Sequence, residues 1–266
     1  MTLIDSHCHL NYPGLVEDES GVLDRARARG VAGFLNISTR QSEWPAVLAA
    51  AERHADVWAA IGVHPHEADA HPDLGAASLI EAAAHPRVIA LGECGLDYHY
   101  DKSDRAAQRD RFRAHIAAAR ETGLPIVIHT RDAEEDTVAI LDEEVSAHGR
   151  PVRGVLHCFT GSAWLAGEGL RLGLSISLSG IVTFKNAKDL AAVAKTIPQD
   201  RLLVETDAPF LAPVPNRGKT CEPAFVADTA RFLSDLRGEG EAEFEAATSA
   251  NFFRLFDRAQ NGSAAA

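Results

Sequence analysis

The sequence predicts a single domain, residues 1–266, folded as a (β/α)8 TIM barrel with an additional C-terminal helix. Eight short apolar runs rich in Val, Ile and Leu each precede a helix-like segment, which indicates parallel βαβ units. A barrel of this kind needs about 250 residues, and the chain has 266. No G-x-G-x-x-G follows the first run, where a doubly wound dinucleotide-binding sheet would carry it.

Each predicted strand is a short apolar run, as expected where helices cover both faces of a parallel sheet. The predicted strands are Leu3–His9, Ala32–Ser38, Trp58–His64, Val88–Gly92, Pro125–His129, Gly154–His157, Leu174–Leu178 and Leu202–Glu205. The predicted helices between and after them are Ser20–Arg29, Glu43–His54, Leu74–His85, Asp104–Thr122, Ala133–His148, Ala163–Leu172, Ala187–Thr196 and Glu222–Leu236. Ala242–Asp257 predicts an extra amphipathic helix packed on the outside, and residues 261–266 predict a disordered tail.

Composition favours a cytoplasmic globular protein without a membrane segment. Hydrophobic residues make up 46% and charged residues 24%, and no run approaches the roughly 18 apolar residues of a membrane span. Four cysteines form no C-x-x-C pair, which favours a reducing compartment. The net charge of −12 argues against general adhesion to nucleic acid, but metal ions in an acidic pocket can still meet phosphate. Nothing in the sequence requires a protein partner.

Five of the predicted strands end in side chains that can bind a metal ion. Catalytic residues of such barrels lie at these carboxyl ends, around one mouth. Side chains alternate along a strand, so His7 and His9 are expected to point together into the mouth and Cys8 away from it. The candidate ligands are His7, His9, Glu93, His129, His157 and Asp207.

Imidazoles and carboxylates without a thiolate set suit Zn²⁺, Mn²⁺ or similar ions. A bridging carboxylate allows two metals to share one site, where they activate water and stabilise both the attacking and the leaving oxygen of a displacement reaction. Glu93 is the natural bridge, since its strand lies between the two histidine groups. The first metal would then take His7, His9 and Asp207, and the second His129 and His157. The alternative is that these groups only hydrogen-bond one another at the rim.

The motifs that carry these residues resemble those of the TatD-type deoxyribonucleases, metal-dependent members of the amidohydrolase-like superfamily. They span nearly the whole chain: Leu3–Asn11, Ile61–His66, Gly92–Tyr98, Pro125–Ala133, His157–Gly161, Val204–Pro209, Asn216–Lys219 and Asn251–Phe256. The resemblance implies a nuclease dependent on two divalent ions (Zn, Mg or Mn) that acts on DNA, often from 3′ ends. The family's ligand pattern agrees with the scheme above, and no ligand position departs from it.

Two carboxylates of the last strand have several possible roles. Glu205 should face the same side as Asp207 one layer deeper, where it could bind a further metal, orient a ligand or be a buried, paired group. Asp207 could act as a ligand, as the general base, or as both.

Other residues are candidates for contact with substrate phosphate. His64 and His66 share a face, although Pro65 between them also fits a purely structural turn. Arginine presents a planar fork suited to phosphate oxygens, and the candidates of this kind are Arg131 and Arg217, with Lys219 nearby. For Arg217 and Lys219 the alternative is a solvated loop.

The remaining histidines and cysteines are expected to be structural. Cys8, Cys94 and Cys158 each follow a candidate ligand by one position and should face the strand–helix interface as small apolar groups. The helical histidines, interpreted as surface or satisfied core residues, are His54, His85, His115 and His148. Asn251 is expected to cap or anchor the last helix.

Three functions fit this site. The first is phosphodiester hydrolysis of DNA. The second keeps the same site and cleaves an ester or cyclic amide, such as a D-aminoacyl-tRNA, although relatives of that kind often bridge their metals with a carboxylated lysine. The third is a catalytically silent metal-dependent binding protein. A glutamate at position 93 favours the first, and the complete ligand set opposes the third.

Overall fold

A computed structural model describes residues 3–261 and confirms the predicted TIM barrel. Eight parallel strands pair in chain order, each with the next. The strands are β1 (Leu3–Cys8), β2 (Val31–Ile37), β3 (Val57–Ile61), β4 (Val88–Asp97), β5 (Ile126–Arg131), β6 (Gly154–Leu156), β7 (Ser175–Leu178) and β8 (Leu202–Val204). All but the last three residues of β5 and one residue of β2 are buried, as in a sheet covered on both faces.

A helix follows every strand, and most helix bounds lie within two residues of the prediction. The helices are α1 (Glu19–Ala28), α2 (Trp44–Arg53), α3 (Ala76–Ala83), α4 (Arg105–Thr122), α5 (Glu134–His148), α6 (Ala163–Arg171), α7 (Lys188–Ala194), α8 (Val226–Arg237), α9 (Glu241–Leu255) and α10 (Arg258–Asn261). The prediction for Glu222–Leu236 began too early, because a short 3-10 turn, Pro223–Phe225, precedes α8. None of the helices within residues 3–261 is long and apolar enough to cross a membrane.

The barrel closes between β8 and β1 through a few specific bonds. The amide of Asp207 donates to the carbonyl of His7 over 2.9 Å, and that of His9 donates to Ala208 over 2.8 Å. Below them, the carboxylate of Asp5 accepts from the amide and hydroxyl of Thr206, at 2.9 and 2.6 Å. This seam fixes His7, His9 and Asp207 relative to one another.

The predicted additional C-terminal helix is confirmed, and it covers the amino ends of the strands. Phe252 of α9 and Phe256, directly after it, are fully buried in one cluster with barrel residues such as Trp58. Asn251 anchors α9 as expected, because its amide donates to the carbonyls of Gln199 and Leu202 just before and at the start of β8. These residues seal the floor of the barrel. The predicted tail, 261–266, lies outside the described residues except for Asn261, which ends α10.

Strand β4 departs most from its prediction. It was expected to end at Gly92 and instead continues to Asp97. Gly95 has a φ of +127°, and a Cβ there would lie 2.0 Å from the carbonyl oxygen of His129. Only glycine allows β4 to approach β5 this closely. The strand can therefore continue past Gly92 to the mouth of the barrel.

Candidate metal centre

The six predicted ligands converge at the carboxyl end of the barrel. They come from β1, β4, β5 and the segments directly after β1, β6 and β8, so the eight-stranded scaffold sets their positions. Two further ionisable side chains, His64 and Glu205, join the cluster. The residues of this metal-centre cluster are His7, His9, His64, Glu93, His129, His157, Glu205 and Asp207.

One set of donors gathers around His7 of β1 and His9, which directly follows the strand. The Nε2 atoms of His7 and His9 lie 3.2 Å apart, and Oδ1 of Asp207 lies 3.6 and 3.5 Å from them. Oε2 of Glu93 lies 3.5 Å from the first and 3.9 Å from the second. Ligands bonded to zinc at about 2.0–2.1 Å in a tetrahedron are about 3.4 Å from each other. The spacing of these four donors therefore fits a small divalent ion.

The second set gathers around the other oxygen of Glu93. Oε1 lies 2.8 Å from Nε2 of His157 and 3.3 Å from both Nδ1 of His129 and Nε2 of His64. Burial alone would raise the pKa of Glu93, but the charges of His157 and His64 and hydrogen bonds from His129 and His157 hold it well below its usual range. An ionised carboxylate thus lies between two groups of imidazoles, each facing a different oxygen.

Hydrogen bonds at the far nitrogens fix which imidazole nitrogen carries the lone pair. Nδ1 of His9 donates to the carbonyl of Ile37 over 3.1 Å, and Nε2 of His129 donates to Oδ2 of Asp97 over 3.0 Å. In both rings the nitrogen that faces the cluster is then free to bind a metal. Partners of this kind orient ligating histidines and raise their basicity.

His64 has the opposite arrangement. Its Nδ1 accepts the backbone N–H of His66 over 3.0 Å, so in the neutral ring the proton resides on Nε2, which faces Glu93. The distance to Glu93 equals that of His129, yet this tautomer makes His64 a donor rather than a ligand. That agrees with its prediction as a substrate contact, which stays a prediction.

Asp97 is the main residue that the sequence reasoning missed. It is fully buried, accepts from His129, and its Oδ2 also lies 2.9 Å from Nε2 of His66, without hydrogen-bonding geometry. Burial would raise the pKa of Asp97, but the hydrogen bond from His129 and the close approach of His66 hold it far below its usual range. Side-chain alternation from Glu93 through Gly95 places Asp97 on the same face, a signal that would have identified it had β4 been predicted at its full length.

Glu205 supports His157 from below. One of its oxygens lies 3.3 Å from Nδ1 of His157 and accepts the amide of Cys158 over 2.6 Å. Its other oxygen and Nδ1 of His7 are buried, and neither has a hydrogen-bond partner within residues 3–261. His7, His157 and Glu205 also have donors within 4.8 Å of one another, a third grouping that could hold an ion. These contacts favour an orienting role for Glu205, and its binding of a further metal ion stays a prediction.

Cys158 corrects one prediction. Cys8 and Cys94 are buried in the main core, as expected, but Cys158 is partly exposed and its sulfur lies 3.2 Å from the hydroxyl of Ser179. Strand β6 ends at Leu156, so alternation no longer applies at Cys158, whose φ is +42°. Asp207 has a similar left-handed backbone, with φ of +59°. Such strained positions are concentrated at functional sites.

The predicted phosphate contacts lie around the mouth but differ in position. The guanidinium of Arg131 lies 4.8 Å from the centre of the Tyr100 ring, and that of Arg217 lies 3.6 Å from the Phe184 ring. Lys219 donates to Asn216 over 3.2 Å. Within the described part of the chain, none of these three cations contacts a carboxylate of the metal-centre cluster. Their role as phosphate contacts remains a prediction.

Comparison with known proteins identifies the family. A family model described as TatD related DNase matches residues 4–257. The chain belongs to this family. An uncharacterized metal-dependent hydrolase of Escherichia coli K12, YcfH, is 44% identical over 260 residues, covering 96% of both chains. The 3′-5′ ssDNA/RNA exonuclease TatD of Cronobacter sakazakii is 37% identical over 245 residues, covering 90% of this chain and 92% of its own.

The fold agrees with a solved member of the TatD family. The crystal structure of the TatD homologue YjjV of E. coli K12 superposes with a TM-score of 0.89 at 30% identity, covering 96% of this chain and 98% of the other. The chain is thus a metal-dependent hydrolase of the TatD family, with a barrel whose mouth brings together imidazole and carboxylate donors.

Proposed function

We propose that this protein is a deoxyribonuclease that hydrolyses single-stranded DNA from its 3′ end with the help of two divalent ions. The observation that carries the proposal is the position of Glu93, whose two carboxylate oxygens face separate groups of nitrogen donors. The name of the Cronobacter relative supports the choice of substrate, direction and strand state.

The donors divide into two shells that share one carboxylate. His7, His9 and Asp207 would hold one ion, His129 and His157 the other, and Glu93 both. Divalent ions in such a site lower the pKa of a water molecule towards neutrality and offset charge on phosphate oxygens.

Asp207 is the group best placed to take the proton of the attacking water. Its side chain is 15% exposed, which makes it more accessible than the neighbouring Glu93 at 4%. Burial would raise the pKa of Asp207, but a hydrogen bond from His9 and the charge of His7 lower it, so the carboxylate is ionised at neutral pH. Water attacks phosphorus and its proton passes to Asp207, while the bond from phosphorus to the 3′ oxygen of the shortened strand breaks and that oxygen takes up a proton from solvent to become a hydroxyl.

His64 and Arg131 would bind the phosphate before and during this step. The proton on Nε2 of His64 points into the metal-centre cluster, where it can donate to a phosphate oxygen. Arg131 is held beside the mouth by the ring and hydroxyl of Tyr100. Both groups add positive charge or donors where the phosphate charge increases.

A substrate panel tests the proposal. Purified protein with Mg²⁺, Mn²⁺ or Zn²⁺ receives 5′-labelled single-stranded DNA, a D-aminoacyl-tRNA and a cyclic amide, and products are resolved over time. We expect a ladder of DNA products shortened from the 3′ end and no turnover of the other two. Turnover of the ester or amide without DNA cleavage would show that the site serves the alternative reaction.

The substitution Asp207→Asn tests the role of Asp207 as general base separately from its role as a candidate metal ligand. The amide keeps an oxygen at the same position but cannot accept a proton at neutral pH, so kcat should fall by about 10²- to 10⁴-fold, with metal retained better than activity. Asp132→Asn is the matched control, because Asp132 is exposed and pairs with His99 outside the metal-centre cluster. Equal kcat values for the two variants would exclude Asp207 as the base.

A further inference from the structure

The most exposed large apolar side chains of residues 3–261 all follow strands, on the side of the mouth. Val16 lies after β1, Tyr100 after β4, Trp164 in the first turn of α6, and Phe210 with Val214 after β8. Exposed apolar groups concentrated on one face indicate a binding surface rather than a random distribution. The metal centre accounts for none of them.

Two of these rings lie on either side of the metal-centre cluster. Phe210 is 50% exposed, and the centre of its ring lies 6.4 Å from that of His9. A hydrogen bond from its amide to the carbonyl of Asp207, 2.9 Å long, ties its position to the proposed base. On the opposite side, Tyr100 is 52% exposed, and the centre of its ring lies 5.4 Å from that of His66.

The surroundings of the two rings keep them ordered while half of each stays open. Phe210 makes an edge contact with Tyr12 at 6.1 Å, and the Tyr12 hydroxyl is held by Thr39 over 2.6 Å. Tyr100 is flanked by the cations Arg131 and Lys102, at 4.8 and 5.5 Å from its ring centre. An aromatic ring beside a cation is the combination by which single-stranded nucleic acids are bound without regard to sequence.

We propose that Phe210 and Tyr100 are stacking platforms for the two nucleobases that flank the scissile phosphate. The inference rests on the proposed nuclease function and extends it to the strand state of the substrate. In a duplex each base is held by its pairing partner and stacks on at least one neighbour, whereas an unpaired base near a strand end can leave its neighbour and stack on protein. With a net charge of −12, the protein gains little general attraction for DNA, so stacking contributes specific affinity at the mouth.

For cleavage at a 3′ end, the two flanking bases are the terminal one and the one before it. Each ring should therefore contact a different base. The two rings belong to different segments, Tyr100 to the one after β4 and Phe210 to the one after β8. They are therefore expected to reach different nucleotides.

Altered bases in the DNA provide the test. Single-stranded oligonucleotides carry thymine or 5,6-dihydrothymine, whose puckered ring stacks poorly, at the terminal or the penultimate position. The variants are Phe210→Ala, Phe210→Trp, Tyr100→Ala and Tyr100→Phe, and kcat/KM is measured for each pairing. Trp164→Ala is the control, since Trp164 is also about half exposed, but among the described residues it makes no ring contact with His9 or His66, the histidines beside Phe210 and Tyr100.

Each alanine substitution should lower kcat/KM by roughly tenfold on thymine, mainly through KM. The part of the loss that is due to stacking should disappear when dihydrothymine occupies the position that the ring contacts, and that position should differ between Phe210 and Tyr100. In Tyr100→Ala a smaller loss that does not depend on the base should remain, because Arg131 also loses its contact with the ring and hydroxyl of Tyr100. Phe210→Trp and Tyr100→Phe should retain the preference for thymine, and Trp164→Ala should behave like the wild type.

Two outcomes would overturn the inference, and they are distinguishable. If the wild type cleaves no nucleic acid, the proposed function fails and the inference fails with it. If the wild type cleaves DNA but the alanine variants lose nothing, or lose as much on dihydrothymine as on thymine, only the stacking role fails. A base-dependent loss in Trp164→Ala equal to theirs would likewise refute the assignment to Phe210 and Tyr100.

Discussion

The two ends of the barrel are built from the same eight strands but from opposite chemistry. At the mouth, buried ionisable side chains such as Glu93 and His157 lie within hydrogen-bonding distance of one another. At the floor, Trp58, Phe252 and Phe256 pack with aliphatic side chains of the strands. Burying charge costs free energy unless it is paired, whereas burying aromatic surface stabilises the fold. The difference indicates that the floor carries stability and that the mouth carries chemistry.

Arginines follow the same division. At the floor, Arg258 donates to the carbonyls of Ala83 and Val88, and Arg254 donates to that of Asp200. Both guanidinium groups are therefore bound to the backbone of the scaffold. At the mouth, Arg131 and Arg217 lie over aromatic rings and retain donors for a ligand. The same residue type thus serves structure at one end and remains available at the other.

Loss of the charge on Glu93 should have the largest effect at the mouth. Glu93→Gln keeps the size of the side chain but removes the carboxylate that faces both donor sets, so bound metal and hydrolytic activity should fall to background. Elemental analysis of the purified protein and the DNA assay check this, with circular dichroism to show that the barrel has folded. Glu135→Gln, at an exposed position of α5, is the control. Full metal content in Glu93→Gln would exclude the bridge.

The floor should respond in stability and not in chemistry. Phe252→Ala removes a fully buried ring that contacts Trp58 at 5.5 Å, and should lower the free energy of unfolding by about 3–5 kcal/mol. Denaturant titration measures that loss, and kcat of the folded fraction should stay unchanged. Phe253→Ala is the neighbouring control, because Phe253 is only partly buried and should cost less. A drop in kcat with Phe252→Ala would show that the two ends are coupled.

The sequence predicted the mouth better than the floor, for a physical reason. Alternation along a strand and the meeting of parallel strand ends depend only on local geometry, so the sequence alone places His7 and His9 together. The floor depends on where α9 packs after its loop, and amphipathic periodicity shows that a helix has an apolar face without showing what it covers.

Errors at the mouth arose where strands end irregularly. β4 was predicted five residues too short, which concealed Asp97, and β6 was predicted one residue too long, which placed Cys158 on the wrong side. A glycine inside a strand ordinarily weakens it, yet Gly95 is what allows β4 to continue beside His129. The residues that orient the ligands therefore needed the structure, while the six candidate ligands did not.

A substitution of Asp97 tests the difference between the candidate metal ligands and the side chains that orient them. In Asp97→Asn the side chain keeps its shape but accepts less strongly from Nε2 of His129, so metal affinity should fall by about 10- to 100-fold. Competitive titration with a metal-sensitive dye measures this change. Asp132→Asn, which disturbs the exposed pair with His99 at 2.8 Å, should leave affinity unchanged. An equal affinity in Asp97→Asn and the wild type would show that His129 needs no such partner.

His115 is a histidine of the scaffold, and it gives the smallest effect. It is fully buried in α4, where Nδ1 donates to the carbonyl of Arg111 over 2.7 Å and Nε2 accepts the amide of Val63 over 3.1 Å. Burial lowers the pKa of His115 from 6.5 to about 4, so the unfolded chain binds a proton more readily between these values. Its contribution to stability is complete above pH 6.5 and declines as the pH falls towards 4, by up to ~1.4 kcal/mol per pH unit.

His115→Gln removes this titration while keeping an acceptor and a donor at the same position in α4. Denaturant titrations at pH 7.5 and 5.5, with a chelator present so that metal binding does not contribute, give the free energy of unfolding at each pH. The wild type should lose about 1 kcal/mol more than His115→Gln between the two, because the metal-centre histidines titrate equally in both proteins. If the free energy of unfolding falls by the same amount in the two proteins, the acid sensitivity of the fold comes from groups at the mouth. The mouth would then affect stability through proton binding, and the separation between a structural scaffold and a reactive mouth would not extend to protonation.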